Sequence, residues 1–589
     1  MSKMSRREFV YMMAVLGAAP VFANSHTRMT DTNNLGDYYK LKSFGNVRLM
    51  HMTDCHAQLL PVYFREPSVN LGFYSNYGKP PHIVGDKLLD HFGIKGNKRL
   101  EYAYSCVNYA KHAETMGRVG GFAQIKTVVD FLRGSFGKDK TLMLDGGDTW
   151  QGSWTSLQTR GKDMVGAMNL LGVDVAVGHW EFTYKASEVL ENVKELDAEF
   201  LAQNVHVKED ALFDGSPAYD EDSGLAFKPY TIKKMGDARV AIIGQAFPYT
   251  TIANPQRNIP DWTFGIKEDN MQEMVDMIRA KEKPDAVIVL SHNGYDVDKK
   301  MAEVVTGIDF IMGGHTHDGV PEAYPVKNAK GMTYVCNAGS NGKFLNVLDL
   351  DVEKGKVKDF RFTLLPIFSD LIPEDKAMKS YVEGVRKPFL KDLNREIATT
   401  DMTLFRRGNF NGSWDQIICD ALRDVKGADI SLSPGFRWGT TIMPGQAITF
   451  DDLATQTAMT YPETYNREMD GKTVKAILED VADNLFNEDP FYQQGGDMVR
   501  TGGISYRIDP KAKMGNRITN IELANGKKLE ASKKYKVAGW STVGSVAPGE
   551  PVWETVETYL KNIKHISKNY KIDAPDIVGV KNNPGITNC

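Results

Sequence analysis

An α/β layer architecture is predicted for the larger, N-terminal part of the chain, followed by a second domain of mixed type. Three observations predict it. Short apolar runs alternate with amphipathic helical stretches, as in layered α/β folds. The runs are apolar enough to be strands of buried sheets. Nearly every chemically interesting cluster falls just past the end of such a run, where open α/β sheets collect their sites.

The elements follow in chain order. Arg6 and Arg7 precede a short apolar stretch that ends on the small Ala23, which is the layout of a cleaved export signal. With Glu8 and Phe9 the pair matches the twin-arginine type, which carries folded proteins to the periplasm. Residues 1–23 are therefore read as a twin-arginine signal peptide and 24–43 as a polar linker. No later run is long and charge-free enough to span a bilayer, so no membrane anchor is expected after cleavage. The segments 46–54, 140–150, 173–182, 238–247, 285–294 and 308–318 read as strands with their exit turns, and 122–136 and 270–284 as helices packed on them. Together they place a first domain at 44–368. Residues 369–400 read as a long, charged linker helix without a strong apolar face. A second domain follows at 401–589, with helices at 413–425 and 471–486 and strands at 504–509 and 534–540.

Composition narrows the function. The 589 residues are 42% hydrophobic and 25% charged, with a net charge of -4 and no block of lysine or arginine, so nucleic acid is a poor partner. The five cysteines, Cys55, Cys106, Cys336, Cys419 and Cys589, form no CxxC pair, and no disulfide framework is expected of them. Cys55 reads as a buried small residue pointing away from its neighbours.

The strand ends carry the chemistry. They present Asp54 and His56, Asp148, His179, His292, and His315 with His317. A lone histidine there is usually structural, and a lone aspartate usually caps a turn. The pairs Asp54/His56 and His315/His317 differ, because alternate residues of an extended segment can offer two ligand atoms to one ion. With Asp148 shared, seven side chains suffice for two divalent ions about 4 Å apart, the device that serves in-line displacement at a tetrahedral centre through an activated hydroxide. So many imidazole nitrogens suit manganese, iron or zinc and not calcium or magnesium.

Taken in order, TDCH, GGDTWQGS, GHWEF, SHNG and GGHTHD resemble the metallophosphoesterase pattern, in the branch that includes periplasmic nucleotidases. The resemblance implies a four-layer αββα dimetal domain followed by a 5'-nucleotidase-like C-terminal α+β domain that binds substrate. It implies that Asp54, His56, Asp148 and His317 hold one ion, and Asp148, His179, His292 and His315 the other. Departures decide the chemistry. Nucleotidases of this branch carry Asn-His-Glu where this chain has His179-Trp180-Glu181, so a ligand is exchanged and a catalytic histidine is lost. Trp180 cannot protonate a leaving alkoxide. Glu181 is expected to position His179 or a nearby backbone amide. The aromatic pair that grips a nucleobase is also not evident, although Tyr461 and Tyr465 could stack a substrate. Arg437 in SPGFRWG aligns with the branch's oxyanion-binding arginine.

HMTDCHAQLLPVYFREPS, GHWEFTY and SPGFRWG are similar to one subfamily, the SoxB-type sulfate thiohydrolases of the periplasmic thiosulfate-oxidising system. That resemblance implies a dimanganese hydrolase, with zinc or iron also compatible. Its substrate would be the cysteine S-thiosulfonate of the SoxYZ sulfur carrier, and sulfate would be released by attack of a metal-bridging hydroxide. Asp148 and Arg437 would be catalytic, Trp180, Arg437, Tyr461 and Tyr465 would line the substrate channel, and the enzyme is expected to be a monomer. The alternative on the same scaffold is a periplasmic 5'-nucleotidase or cyclic phosphodiesterase.

Overall fold

The computed structural model describes residues 39–589, so the signal at 1–23 and most of the 24–43 linker lie outside the described residues. Tyr39 is already docked: its buried hydroxyl donates to the Pro366 carbonyl at 3.0 Å and accepts from the Phe368 amide at 3.0 Å.

Two six-stranded sheets face each other. In the first, Val47–Met52 lies between the parallel Thr141–Asp145 and the antiparallel Phe344–Val352. The second runs parallel through Ala238–Gln245, Ala286–Ser291, Phe310–Gly313 and Met332–Asn337, with antiparallel strands at both edges. The two-residue period of a strand explains the layering. Val47, Leu49, Leu142 and Leu144 point into the core shared with Val240, Ile242, Ile288 and Ile311 of the second sheet. Met50, Met52 and Met143 point the other way, onto the helices Phe122–Phe136 and Lys162–Leu171. Full burial of such side chains is worth roughly 1.5–3 kcal/mol each, which fixes the register of both sheets. Helices Glu268–Lys281 and Tyr295–Val304 cover the second sheet, giving the four-layer αββα arrangement.

The C-terminal part builds a four-stranded sheet in the order Thr464–Asp470, Lys534–Trp540, Ile430–Ser433, Arg500–Gly502, with helix Ser413–Lys426 packed on it. The region read as one long linker helix is not one. A helix runs from Lys376 to Arg386, a short turn follows Pro388 and ends at Leu393, and Glu396–Thr400 is a strand. Proline removes a helical donor at Pro388, and the β-branched IATT favours extension. Nor does the helix lack an apolar face, since Met378 and Val382 are buried against the outer helical layer.

The expectation that the cysteines form no disulfide is corrected for one pair. Cys106 and Cys589 are bonded, with Cα atoms 5.6 Å apart, across 483 residues of sequence. The cause is the path of the last residues, which return to the first domain: Gly585, Pro584 and Ser68 carbonyls accept from the amides of Asn70 (2.8 Å), Val84 (3.0 Å) and Thr587 (3.0 Å). Cys55, Cys336 and Cys419 are free and buried.

Candidate metal centre and cavity

Seven side chains converge from five strand ends. Asp148, His179, His292 and His315 form one quartet and Asp54, His56, Asp148 and His317 another, each with ligand atoms within 4.8 Å of one another. All seven are buried. The local backbone is unusual: Asp54, His56, Asp148, His315 and His317 have φ of 52°, 44°, 57°, 73° and 59°. That left-handed region is unfavourable for most side chains and is held here by surrounding structure. The amides of Asp54 and His56 donate to the carbonyls of Gly147 and Asp148 at 2.8 Å, tying the two ligand loops together. Gly314 has no alternative, because a Cβ there would sit 2.2 Å from the Thr53 hydroxyl oxygen.

Glu181 organises a second part of the centre. Its carboxylate accepts from the amides of His179 (2.8 Å), Asp148 (3.2 Å), Thr149 (2.7 Å) and Trp150 (3.2 Å). It therefore holds both His179 and a neighbouring amide run, the positioning role expected of it. Burial, with Asp148 nearby, pushes its carboxyl above the ordinary range.

Several histidine nitrogens are already committed outward. His56 Nδ1 donates to the Gln151 carbonyl (3.1 Å) and His292 Nδ1 to that of Gly146 (2.5 Å), which leaves both Nε2 atoms facing the carboxylates. His56 Nε2 and His317 Nε2 lie 3.1 Å apart, and His292 Nε2 is 3.0 Å from Asp148. Buried His292 Nε2 and both nitrogens of His315 have no hydrogen-bond partner, while His179 Nδ1 and His317 Nε2 each lie 3.2 Å from a carboxylate oxygen, of Asp148 and Asp54 respectively. Orphaned imidazole nitrogens around two carboxylates are the donor set of a divalent cation, so the residues fit a pair of ions. Electrostatics agree. Against its burial, Asp148 and Asp54 raise His292 to about 10, so the centre draws positive charge. Burial and the guanidiniums of Arg437 and Arg407 hold His317 well below its ordinary value, as a ligand nitrogen must be.

A cavity opens beside His315. Its walls include Arg437, Arg407, Asp318, Asn70 and His82. Arg437 donates to the His315 carbonyl (2.5 Å) and to that of Gly496 (3.3 Å), which fixes its guanidinium in the wall. Gly495 lies against the ring of His315, where a Cβ would fall 2.0 Å from Nε2.

Of the four residues expected to line a channel, only Arg437 lines this cavity. Trp180 is buried in an aromatic cluster with Trp438 (ring centroids 4.8 Å apart), Phe436 (5.3 Å) and Tyr461 (6.0 Å, stacked). Tyr461 also donates to the Ala253 carbonyl (3.2 Å), joining the two domains. Tyr465 faces Gly539 of its own sheet and packs in a different core cluster. Packing decides these placements, and strand assignment alone could not. Sequence reading also missed Arg407, whose guanidinium donates to the carbonyls of His317 (2.7 Å) and Thr316 (2.8 Å). The doubled Arg406-Arg407 ahead of a glycine-rich turn was the available signal.

Comparison with known proteins places this geometry. Residues 393–552 match the family described as 5'-nucleotidase, C-terminal domain. A solved structure of Thermus thermophilus sulfate thiohydrolase SoxB, in complex with glycerol, is 33% identical, with a TM-score of 0.84, over 92% of this chain and 98% of that one. The chain belongs to the 5'-nucleotidase family of metallophosphoesterases. The bovine 5'-nucleotidase is a further relative, 26% identical over 483 residues, 74% of this chain and 78% of its own length. A 5'-nucleotidase precursor, also from Thermus thermophilus, shares the fold, with a TM-score of 0.69 and 21% identity over 90% of this chain and 99% of that one. As a family member the chain is a hydrolase whose buried Asp/His centre can hold two metal ions. Among the described residues, no helix is long and apolar enough to cross a membrane.

Proposed function

We propose that the chain hydrolyses the sulfonate from a cysteine S-thiosulfonate on the SoxYZ sulfur carrier, releasing sulfate and leaving the carrier as a persulfide. The observation that carries this reading is Trp180. At the position where nucleotidases of the branch carry a catalytic histidine stands an indole locked among Trp438, Phe436 and Tyr461. An indole holds no labile proton near neutral pH, so a nucleoside alkoxide would leave from there without help. A persulfide is stable as an anion and needs none. The likeness to sulfate thiohydrolase SoxB supports the same choice.

Asp54, His56, Asp148, His179, His292, His315 and His317 would hold two manganese ions, with zinc or iron compatible. When bound, such ions neutralise oxyanion charge and lower the pKa of water. The chain's own residues do the rest. Glu181 keeps His179 and the Asp148 loop in register. Arg437 presents a guanidinium to a tetrahedral oxyanion from the cavity wall. Export to the periplasm by the twin-arginine route completes the reading, since a chain that folds around its metals before export suits that route.

The test is a paired assay on manganese-loaded protein. Thiosulfonate-charged carrier should yield sulfate, and AMP should yield little phosphate. Phosphate release from AMP at rates above those of sulfate release overturns the reading in favour of a 5'-nucleotidase.

A further inference from the structure

Behind His292 runs a chain of five polar side chains, each at most 1% exposed: Gln203, Gln245, Asn293, Ser291 and Asp298. Gln203 donates to the Gln245 side-chain oxygen at 2.6 Å, and Gln245 donates in turn to the Asn293 side-chain oxygen at 3.1 Å. The side-chain amide of Asn293 and the hydroxyl of Ser291 both donate to Oδ1 of Asp298, at 3.1 and 2.7 Å. The Asn293 backbone amide closes the turn on the Ser291 hydroxyl at 3.1 Å. His292 stands between these two anchored residues, and its own amide donates to the Gln245 carbonyl at 2.9 Å. Asp298 lies in the first turn of helix Tyr295–Val304. Its Oδ2 is buried without a hydrogen-bond partner and packs on Gly313, where a Cβ would fall 2.3 Å from it. Burying five polar side chains costs stability unless they are bonded, and a bonded network of this kind selects one geometry. That geometry is the turn carrying His292 and the approach to the turn carrying His315. Both ligands belong to the quartet with Asp148 and His179, and the other quartet takes neither.

We propose that Asp298 is a positioning residue for the ion held by Asp148, His179, His292 and His315, acting through the turn from Ser291 to Asn293. The inference rests on the dimetal reading of the centre and deepens it, by naming a group that serves one ion and not the other. Oδ1 of Asp298 is the point at which both neighbours of His292 are tied. With that turn fixed and His292 Nδ1 bonded to the Gly146 carbonyl at 2.5 Å, Nε2 is left aimed at Asp148, 3.0 Å away. A ligand held this way meets an ion without first losing freedom of its own. Asp54 and His56 are held instead through the Gly147 and Asp148 carbonyls, and His317 through Arg407. The role belongs to the hydrogen bonds and not to the charge. Because Oδ2 accepts nothing, an amide nitrogen in its place breaks no bond.

The test follows manganese binding to the metal-free protein, in competition with a chromophoric chelator of known affinity. It compares the wild type with Asp298→Asn and Asp298→Ala, and His292→Ala marks which binding step belongs to that quartet. The wild type should take two ions. Asp298→Ala should weaken the step marked by His292→Ala about 10- to 100-fold and leave the other within threefold. Asp298→Asn should keep both within threefold, because its side-chain oxygen can accept the same two donors. If Asp298→Ala does not fold, Ser291→Ala replaces it, giving up the shorter of the two bonds and weakening the same step about tenfold. An alanine variant that binds both ions as the wild type does, or weakens both alike, overturns the proposal. So does an Asp298→Asn protein as weak as Asp298→Ala. A wild type that takes one ion defeats the dimetal reading, and the response of that ion to the same variants then decides the role of Asp298. A wild type that takes no manganese defeats both.

Discussion

Replacing Glu181 by glutamine changes the charge of one side chain and almost nothing of its shape, so it isolates what the carboxylate does. Each oxygen accepts two backbone amides: one takes Thr149 at 2.7 Å and Trp150 at 3.2 Å, the other His179 at 2.8 Å and Asp148 at 3.2 Å. Glutamine can satisfy only one of these pairs, because its NH2 end cannot accept. Two bonds to a charged acceptor are lost, at about 1.5–3 kcal/mol each before relaxation, and two buried donors are left unpaired. A net loss of about 3 kcal/mol in folding stability follows from those values. The same amides carry the ligands Asp148 and His179, so metal affinity should weaken about 10- to 100-fold, the usual cost of removing a group that orients ligands. Competition with a chelator of known affinity measures the second effect, and urea unfolding of the metal-free protein measures the first. Glu181→Gln protein that binds metal within threefold of wild type and unfolds at the same urea concentration would refute the reasoning.

Four further outcomes are expected. Arg437→Ala should lower kcat about 100- to 1,000-fold, as loss of one oxyanion donor does, and should lower stability by about 1.5–3 kcal/mol as its hydrogen bonds to the His315 and Gly496 carbonyls are lost. Chelation of the metals should lower the unfolding temperature, and metal at about 100 times its dissociation constant should return about 2.7 kcal/mol. Glu199 is held at about 2, below its ordinary 4.5, by Lys228 and Lys233 against the effect of burial. A depressed carboxyl contributes stability that is present above pH 4.5 and fades as pH falls toward about 2, so Glu199→Gln should flatten acid unfolding within that window. Cys589→Ser should cost about 2–4 kcal/mol, read as a lower urea midpoint with a steeper slope, because the denatured chain loses its cross-link and exposes more surface.

The architecture was legible because burial and periodicity are local. The helices at Phe122–Phe136 and Gly471–Phe486 and the strand at Lys534–Trp540 fall where the pattern places them, since apolar spacing alone selects their faces. The seven ligand candidates were legible as strand-end residues, and their grouping into two quartets agrees with the parallel order of the strands. What failed was long-range. Nothing near Cys106 announces Cys589, because the contact depends on where the final loop returns. Tyr465 shares a short aromatic stretch with Tyr461, yet strand alternation and packing send it to another core. The chain through Gln203, Gln245 and Asn293 escaped attention for a related reason: its members lie 42 and 48 residues apart, at strand ends that only the fold brings together.

The left-handed backbone at five of the seven ligands restricts which metals the centre can be made to prefer. Aspartate, asparagine and histidine tolerate that conformation better than other residues with side chains, and they are also residues whose short polar groups can reach an ion. A glutamate or cysteine introduced at Asp54, His56, Asp148, His315 or His317 would have to overcome the conformation as well as the change of ligand. The vocabulary of this centre is thus written by its main chain. Softer, sulfur-rich coordination is disfavoured at those five positions by about 1–2 kcal/mol each, and variation is directed to His179 and His292, where the backbone imposes no left-handed twist.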